Sequence, residues 1–350
     1  MASSQMDQFE AKLQPALGQV EEILSLAKQL APNIDRIQMV SSGTGDSFME
    51  KVLLKWIDAE ARDLEGYCYK SADYAIRPPK RTNHRTLLIV ASVSGATRDA
   101  ILAIDAVAGR VHHTVTFTGA DQCSIAQRST TAFNAAGAID PYVAICLQMM
   151  VFIGKLLEYK EGWGGMPHLL NSLRHFSKAY TAAAQESQER AASLAARFKD
   201  HPTMMFVAAG FAEQLAFVIS DCNIAEKLKI PSMFVEASRF LHGPQELVES
   251  GLPVILALGE DEYQPLMGPV QKLCHDHRVN AVVYSTREME MPGIASDIRP
   301  LLSPLIGRPP LKNLVSALAD AKNLDLSHRF HYGKASYTVE EHGDFNLVIN

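Results

Sequence analysis

Two runs rich in hydroxyls and glycine, Ser41-Ser42-Gly43-Thr44-Gly45-Asp46-Ser47 and Ser92-Val93-Ser94-Gly95-Ala96-Thr97, are the parts of this chain best suited to chemistry. Glycine lets the backbone come close to an anion, and hydroxyls beside free N–H groups at a helix start hold one without a metal. Far downstream stand Glu226 and the segment Phe240-Leu241-His242-Gly243-Pro244. A carboxylate and an imidazole are a base and an acid for moving protons along a carbon chain. Together these residues suggest a catalyst that rearranges a phosphorylated sugar.

Each motif also has a plainer reading. A Ser or Thr at a strand-to-helix turn caps the helix. Capping accounts for one hydroxyl of Ser92, Ser94 and Thr97 but poorly for all of them, which favours an anion site. Gly43-Thr44-Gly45 lacks the third glycine of a dinucleotide fingerprint, since position 48 is Phe48. No GxxxxGK[ST] run occurs, which argues against a nucleotide phosphate loop. Taken alone, Glu226 late in a helix with Ile224, Leu228 and Ile230 is a surface carboxylate, and His242 is a structural turn residue. His112-His113, His275-Asp276-His277 and His328-Arg329-Phe330-His331 have neither the i, i+4 spacing nor the Cys partner of a zinc site, so no metal is expected.

These residues need a scaffold of some size. The chain has 350 residues, enough for one large or two medium domains, with 47% hydrophobic and 21% charged residues, as in ordinary globular proteins. Its formal charge of −6 argues against nucleic acid as an obligate partner, and the basic run Arg77–Arg85 reads as a solvated loop. Five scattered cysteines, odd in number and without a CxxC pair, suit free thiols in a reducing cytoplasm. Met1-Ala2-Ser3-Ser4-Gln5 carries no basic region ahead of an apolar core, so no signal peptide is expected. The apolar stretch Tyr142–Gly154, ended by Lys155, is too short to span a bilayer and reads as a buried helix; no membrane partner is expected.

The elements alternate. Residues 6–30 read as one amphipathic helix through Phe9, Leu13, Leu17, Val20, Leu24 and Ala27. Strands are expected at 37–40, 66–70, 86–91 and 113–118, with helices at 47–62, after Thr97 and at 141–159. Thr86–Ala91 is a continuous apolar run of the kind covered on both faces in a parallel sheet. From 166 to 199 the composition turns to Ala, Gln, Glu, Ser and Arg, a helical linker. Alternation then resumes with strands at 203–208, 253–258 and 279–284, around a helix at 212–229. The pattern predicts an α/β protein of two similar halves, each a mainly parallel sheet flanked by helices. The expected division is an N-terminal helix at 1–34, a first domain at 35–165, the linker at 166–200 and a second domain with a tail at 201–350. Both glycine clusters fall beyond the carboxyl ends of strands, where open parallel sheets bind ligands.

With the motifs in place, residues from about 35 to 340 resemble a protein of two sugar-isomerase (SIS) domains, each doubly wound and flavodoxin-like. The chain is similar to the isomerase half of glucosamine-6-phosphate synthase, and more so to the fructosamine-6-phosphate deglycases, through Ser92–Thr97 and Phe240–Pro244. The resemblance implies that Ser92, Ser94 and Thr97 hold a 6-phosphate, with Thr44 at the rim. It implies that Glu226, sixteen residues before the His-Gly-Pro histidine, is the catalytic base. It makes His242 the ring-opening residue, reaching into a neighbouring subunit's site. Lys334 corresponds to the synthase's C-terminal lysine, with the preceding run one residue longer. No cofactor is implied, and a homodimer with shared sites is.

The departures bear on substrate. No glutaminase domain is expected on this chain, the synthase's Ser-Gln-Ser is Ser92-Val93-Ser94, and its lysine three residues before the glutamate is Asn223. The activity implied is deglycation of a ketosamine 6-phosphate to glucose 6-phosphate and an amine that the sequence does not name. The alternatives are isomerisation or deamination of an amino-sugar phosphate, and a non-catalytic sugar-phosphate sensor.

Overall fold

A computed structural model describes residues 2–331, which form two compact units, one built on 7–167 and the other on 168–329. The first unit holds a five-stranded sheet: β1 Arg36–Ser41, β2 Glu65–Lys70, β3 Thr86–Ser92, β4 His113–Thr118 and β5 Thr131–Asn134. Their order is β2-β1-β3-β4-β5, all parallel. Chain order reverses between β1 and β3, and it is at the carboxyl edge of such a point that open parallel sheets bind ligands. Every residue of β3 is buried, as a strand sandwiched between helix layers requires. One face packs Val40, Leu88 and Val90 against Ala100, Ile101 and Ile104 of the helix Arg98–Asp105.

The helix Pro141–Glu161 belongs to the same unit. Asp140 caps it by accepting from the Val143 N–H, and Gly162 ends it at φ +76°. It is 21 residues long and apolar, and is buried within the unit from Tyr142 through Gly154. A helix hydrophobic all round is a core helix when protein surrounds it.

The single helix expected at 6–30 is two, Ala2–Leu17 and Val20–Leu30. Pro15 and Gly18 make continuation costly, and the Gln19 side chain makes use of the break. Its amide donates to the Asn134 carbonyl at 2.7 Å and accepts from the Asn134 N–H at 3.2 Å. The helix expected at 47–62 starts at Thr44 and runs through a π-helical stretch, Met49–Leu54, to Glu60.

The second unit holds β6 Met204–Ala208, β7 Ser232–Glu236, β8 Val254–Leu258 and β9 Ala281–Ser285. Their order, β7-β6-β8-β9, is again all parallel and repeats the β2-β1-β3-β4 arrangement. The sequence between 166 and 200 forms three helices, Met166–Leu173, Phe176–Glu186 and Gln188–Phe198. The last of them enters the second core: Leu194, Ala195 and Phe198 pack with Phe206 of β6 and with Leu311, Leu314 and Leu318 of the helix Arg308–Lys322.

Candidate active site

The two glycine clusters leave adjacent strands, β1 and β3, at the same edge of the sheet. They are close: a Cβ on Gly45 would stand 3.3 Å from Ser41 Oγ and 3.8 Å from Ala91 Cβ. Ser92 ends β3 and is buried, and Thr97 stands just before the helix Arg98–Asp105, its hydroxyl turned to Ser92 and not to the helix amides. Between them the loop folds its hydroxyls together. Ser92 Oγ lies 2.8 Å from Thr97 Oγ1 and 3.4 Å from Ser94 Oγ. The Gly95 N–H donates to Ser92 Oγ at 3.1 Å, and the Ala96 N–H to Ser94 Oγ at 3.2 Å. Three hydroxyls thus gather ahead of a helix N-terminus, two of them oriented by the Gly95 and Ala96 amides, an arrangement that can present hydroxyls to phosphate oxygens. Gly95 must be glycine, because its φ is +65° and a Cβ would fall 2.2 Å from Cys123 Sγ.

Thr44 opens its helix, and Gly43 before it has φ +63° with open space where a Cβ would be. Beside it lies a charged group that the sequence reading did not single out. Lys70, at the end of β2, pairs with Asp46 and lies 3.3 Å from Glu50. Burial pushes the Asp46 carboxyl above the ordinary range, the neighbouring Lys70 opposing it.

The second sheet treats the matching positions differently. The loop after β8 reads Gly259-Glu260-Asp261-Glu262-Tyr263, carboxylates where the first half has hydroxyls. Asp261 is buried, and its Oδ2 accepts from the Phe211 N–H at 3.0 Å at the head of the helix after β6. Its Oδ1 accepts from the Tyr263 N–H at 3.1 Å, and Glu213 takes the Gly210 N–H at 3.0 Å. Arg299 grips Glu260 in a fork of 2.7 and 3.0 Å. The chain's own carboxylate therefore takes up the amides an external anion would use. This half offers no second phosphate loop of the first kind.

Glu226 lies late in a π-helical stretch, Ser220–Leu228, that continues the helix Ala212–Ile219. Its side chain is 28% exposed, and Arg329 Nε donates to its Oε1 at 2.9 Å. Asn223, one turn earlier, is buried, donates to the Val218 carbonyl at 2.8 Å and accepts from Lys227 at 3.4 Å. Burial, with Glu226 adding to it, pushes the nearby Cys222 thiol up to about 12. A thiol so held is inert at neutral pH. His242 is exposed, in a turn closed by its N–H on the Arg239 carbonyl, and Gly243 follows at φ +138°.

Glu226 precedes β7 and His242 follows it. The helix carrying Glu226 returns from the carboxyl edge of β6 toward the amino edge, where parallel β7 begins. The two residues thus stand at opposite ends of β7, about 16 Å of strand apart. The structure gathers Ser92, Ser94 and Thr97, sets the Thr44 loop beside them, and separates Glu226 from His242 within the chain. Lys334 lies outside the described residues. Arg329 is the contact that the sequence reading missed, and no local pattern marks a residue 103 positions from its partner.

No protein-family model matches the chain. It is 26% identical over 348 residues to the agropine synthesis conjugase of Rhizobium rhizogenes, covering 96% of each. It is 23% identical over 310 residues to the fructosamine deglycase of Bacillus subtilis, covering 87% of this chain and 93% of the relative. The C-terminal domain of a glucosamine-fructose-6-phosphate aminotransferase from Francisella tularensis superposes with a TM-score of 0.77 at 16% identity, over 91% and 95% of the two chains. The two share a fold: an α/β architecture with two parallel sheets, each flanked by helices. Along most of its length the chain is similar to deglycases of fructosamine compounds.

Proposed function

We propose that the chain is a deglycase acting on a ketosamine 6-phosphate, releasing glucose 6-phosphate and an amine or amino acid. At the coarser level it is an enzyme of the sugar-phosphate deglycase and isomerase class. The observation that carries the reading is the clustering of the Ser92, Ser94 and Thr97 hydroxyls, two of them held by the Gly95 and Ala96 amides, at the sheet's reversal point. Thr44 lies at the rim of that site. Anchoring a remote phosphate gives the binding energy that positions C1 and C2.

In this scheme the His242 imidazole passes the proton that opens the sugar ring. Glu226 removes a C1 proton from the open ketosamine, and the electrons shift to give an enaminol. A proton returns at C2 while the nitrogen loses its own, leaving an aldimine. Water then splits the carbon–nitrogen double bond to the aldose phosphate and the amine. The substrate's own nitrogen supplies the Schiff base, so no cofactor and no metal enter the scheme. Glu226 and His242 flank β7, so the active site would combine Glu226 of one subunit with His242 of another in a cytoplasmic homodimer. Lys334 joins the proposed site on resemblance alone, as do domain limits of 35–165 and 201–350.

The similarity to a conjugase over 96% of the chain favours a second reading, the same steps run as condensation. Every step above is reversible, and the concentrations of water and amine set the direction. Fructosyl-amino-acid 6-phosphates bearing lysine, aspartate or glutamine, with coupled glucose-6-phosphate detection, test the first direction. Glucose 6-phosphate with each amino acid tests the second. Release of glucose 6-phosphate with the amine is expected. Aldose–ketose interconversion without amine release would replace the reading with isomerase, and binding without turnover would replace it with a sensor.

A further inference from the structure

Arg329 is placed with more care than a surface ion pair needs. The helix Arg308–Lys322 ends at Asn323, whose φ of +51° turns the chain, and the Leu324 N–H closes on the Ala319 carbonyl at 2.9 Å. Asp325 Oδ1 accepts from both the Ser327 N–H at 2.8 Å and the Ser327 hydroxyl at 2.7 Å, which tightens the next turn. Leu326 packs on the second core. Arg329 Nη1 then donates to the Leu326 carbonyl at 2.6 Å and the His328 carbonyl at 3.0 Å, and Nε reaches Glu226. Lys229, just past the end of the Glu226 helix, donates to the His328 carbonyl at 2.7 Å.

The guanidinium is thus fixed on the backbone of its own segment, and that segment is tied to the Glu226 helix from a second side. An exposed ion pair contributes little to stability, because holding two long side chains in place offsets much of the attraction. Here the side chains are 19% and 28% exposed, and the arginine's conformational freedom is already spent on carbonyls. What such an arrangement controls is direction. A carboxylate held by one oxygen presents the other along a defined line, and proton abstraction from carbon depends steeply on that line.

Taking Glu226 as the base of the proposed reaction, we infer that Arg329 is its positioning residue, so that 324–329 belongs to the active-site apparatus. Arg329 need not touch substrate. It acts through the orientation of the Glu226 carboxylate, and the effect belongs in kcat.

The test uses the full chain and the fructosyl-amino-acid 6-phosphate panel above, with Arg329→Gln, Arg329→Lys, Glu226→Gln and the Arg329→Gln/Glu226→Gln pair. Arg329→Gln should lower kcat by roughly ten- to a hundredfold while KM moves less than about threefold and Tm falls by only a few degrees. Arg329→Lys, which keeps charge and loses the guanidinium's bonds to the Leu326 and His328 carbonyls, should fall between. The double variant should be no slower than Glu226→Gln, because nothing remains to position. Normal kcat in Arg329→Gln beside a dead Glu226→Gln overturns this inference alone. A fall in kcat that tracks Tm and is not recovered by lysine also overturns it, making Arg329 a strut. An active Glu226→Gln enzyme removes the base, and the inference goes with it.

Discussion

Glu226 and Ser94 are assigned different tasks, and kinetics can separate them. Glu226→Gln keeps the side chain's shape but cannot accept a proton from carbon. Turnover should fall about 10²–10⁴-fold while substrate still binds. Near-normal turnover would remove Glu226 from the mechanism. Ser94 is exposed at the tip of its loop, so its hydroxyl can be deleted without opening the core. Ser94→Ala should raise KM for a phosphorylated substrate by roughly tenfold or more, the scale of one hydrogen bond to a charged group. Binding of the unphosphorylated ketosamine should be unaffected. An equal loss for both compounds would put Ser94 elsewhere than at the phosphate.

At the scale of elements, the loop after β3 depends on a glycine and the edge of the sheet on a histidine. Gly95→Ala adds a Cβ 2.2 Å from Cys123 Sγ at a left-handed φ. A cost of about 2–5 kcal/mol is expected, with loss of phosphate binding. Gly95→Ala/Cys123→Ala should regain part of the stability, as calorimetry would read it, and no regain would place the strain in the backbone. His113 joins β4 to β5 through Nε2 and Thr131 Oγ1 at 2.9 Å, and burial, with His112 adding to it, lowers its pKa below 6.5. An imidazole lowered on folding binds its proton better in the unfolded chain. Its contribution to stability is therefore present above about pH 6.5 and is lost as pH falls through that value toward the folded pKa. Tm measured from pH 7.5 to 5.5 should fall less in His113→Gln than in the parent chain. Parallel curves would exclude His113 as the group responsible.

The whole molecule raises the question of how two residues at opposite ends of β7 meet one substrate. On the proposed reading the answer is sharing between subunits, with Glu226 supplied by one chain and His242 by its partner. Inactive Glu226→Gln and His242→Ala proteins, mixed and allowed to exchange, would then form heterodimers with one doubly damaged site and one intact site. Random exchange makes about half the dimers mixed, so activity should recover to about a quarter of the parent value. Absence of recovery, once a tag pull-down shows exchange, would assign both residues to one chain's site. The second half adds a structural reason for asymmetry, because Asp261 and Glu213 already hold the amides after β6.

How far the sequence alone reached depended on where each signal was carried. β3 and β4 were legible because a strand buried on both faces, or ending in a run of hydroxyls, is a local pattern. β5 and β7 were not, since each is a short edge strand whose apolar run is only two or three residues long, and edge strands need less burial. The break at Gly18-Gln19 had its cause in Pro15, yet the helical period of the flanking residues masked it. The Ser92–Thr97 loop could be read because its donors are consecutive in the chain. Arg329 on Glu226 and Asp261 on Phe211 could not, being contacts across 103 and 50 positions. Sequence by itself determined the alternation of strands and helices and the hydroxyl loop, which depend on near neighbours. Only the tertiary structure decided which carboxylate is held by a guanidinium and which fills an anion site, because burial and hydrogen-bond partners are set by packing.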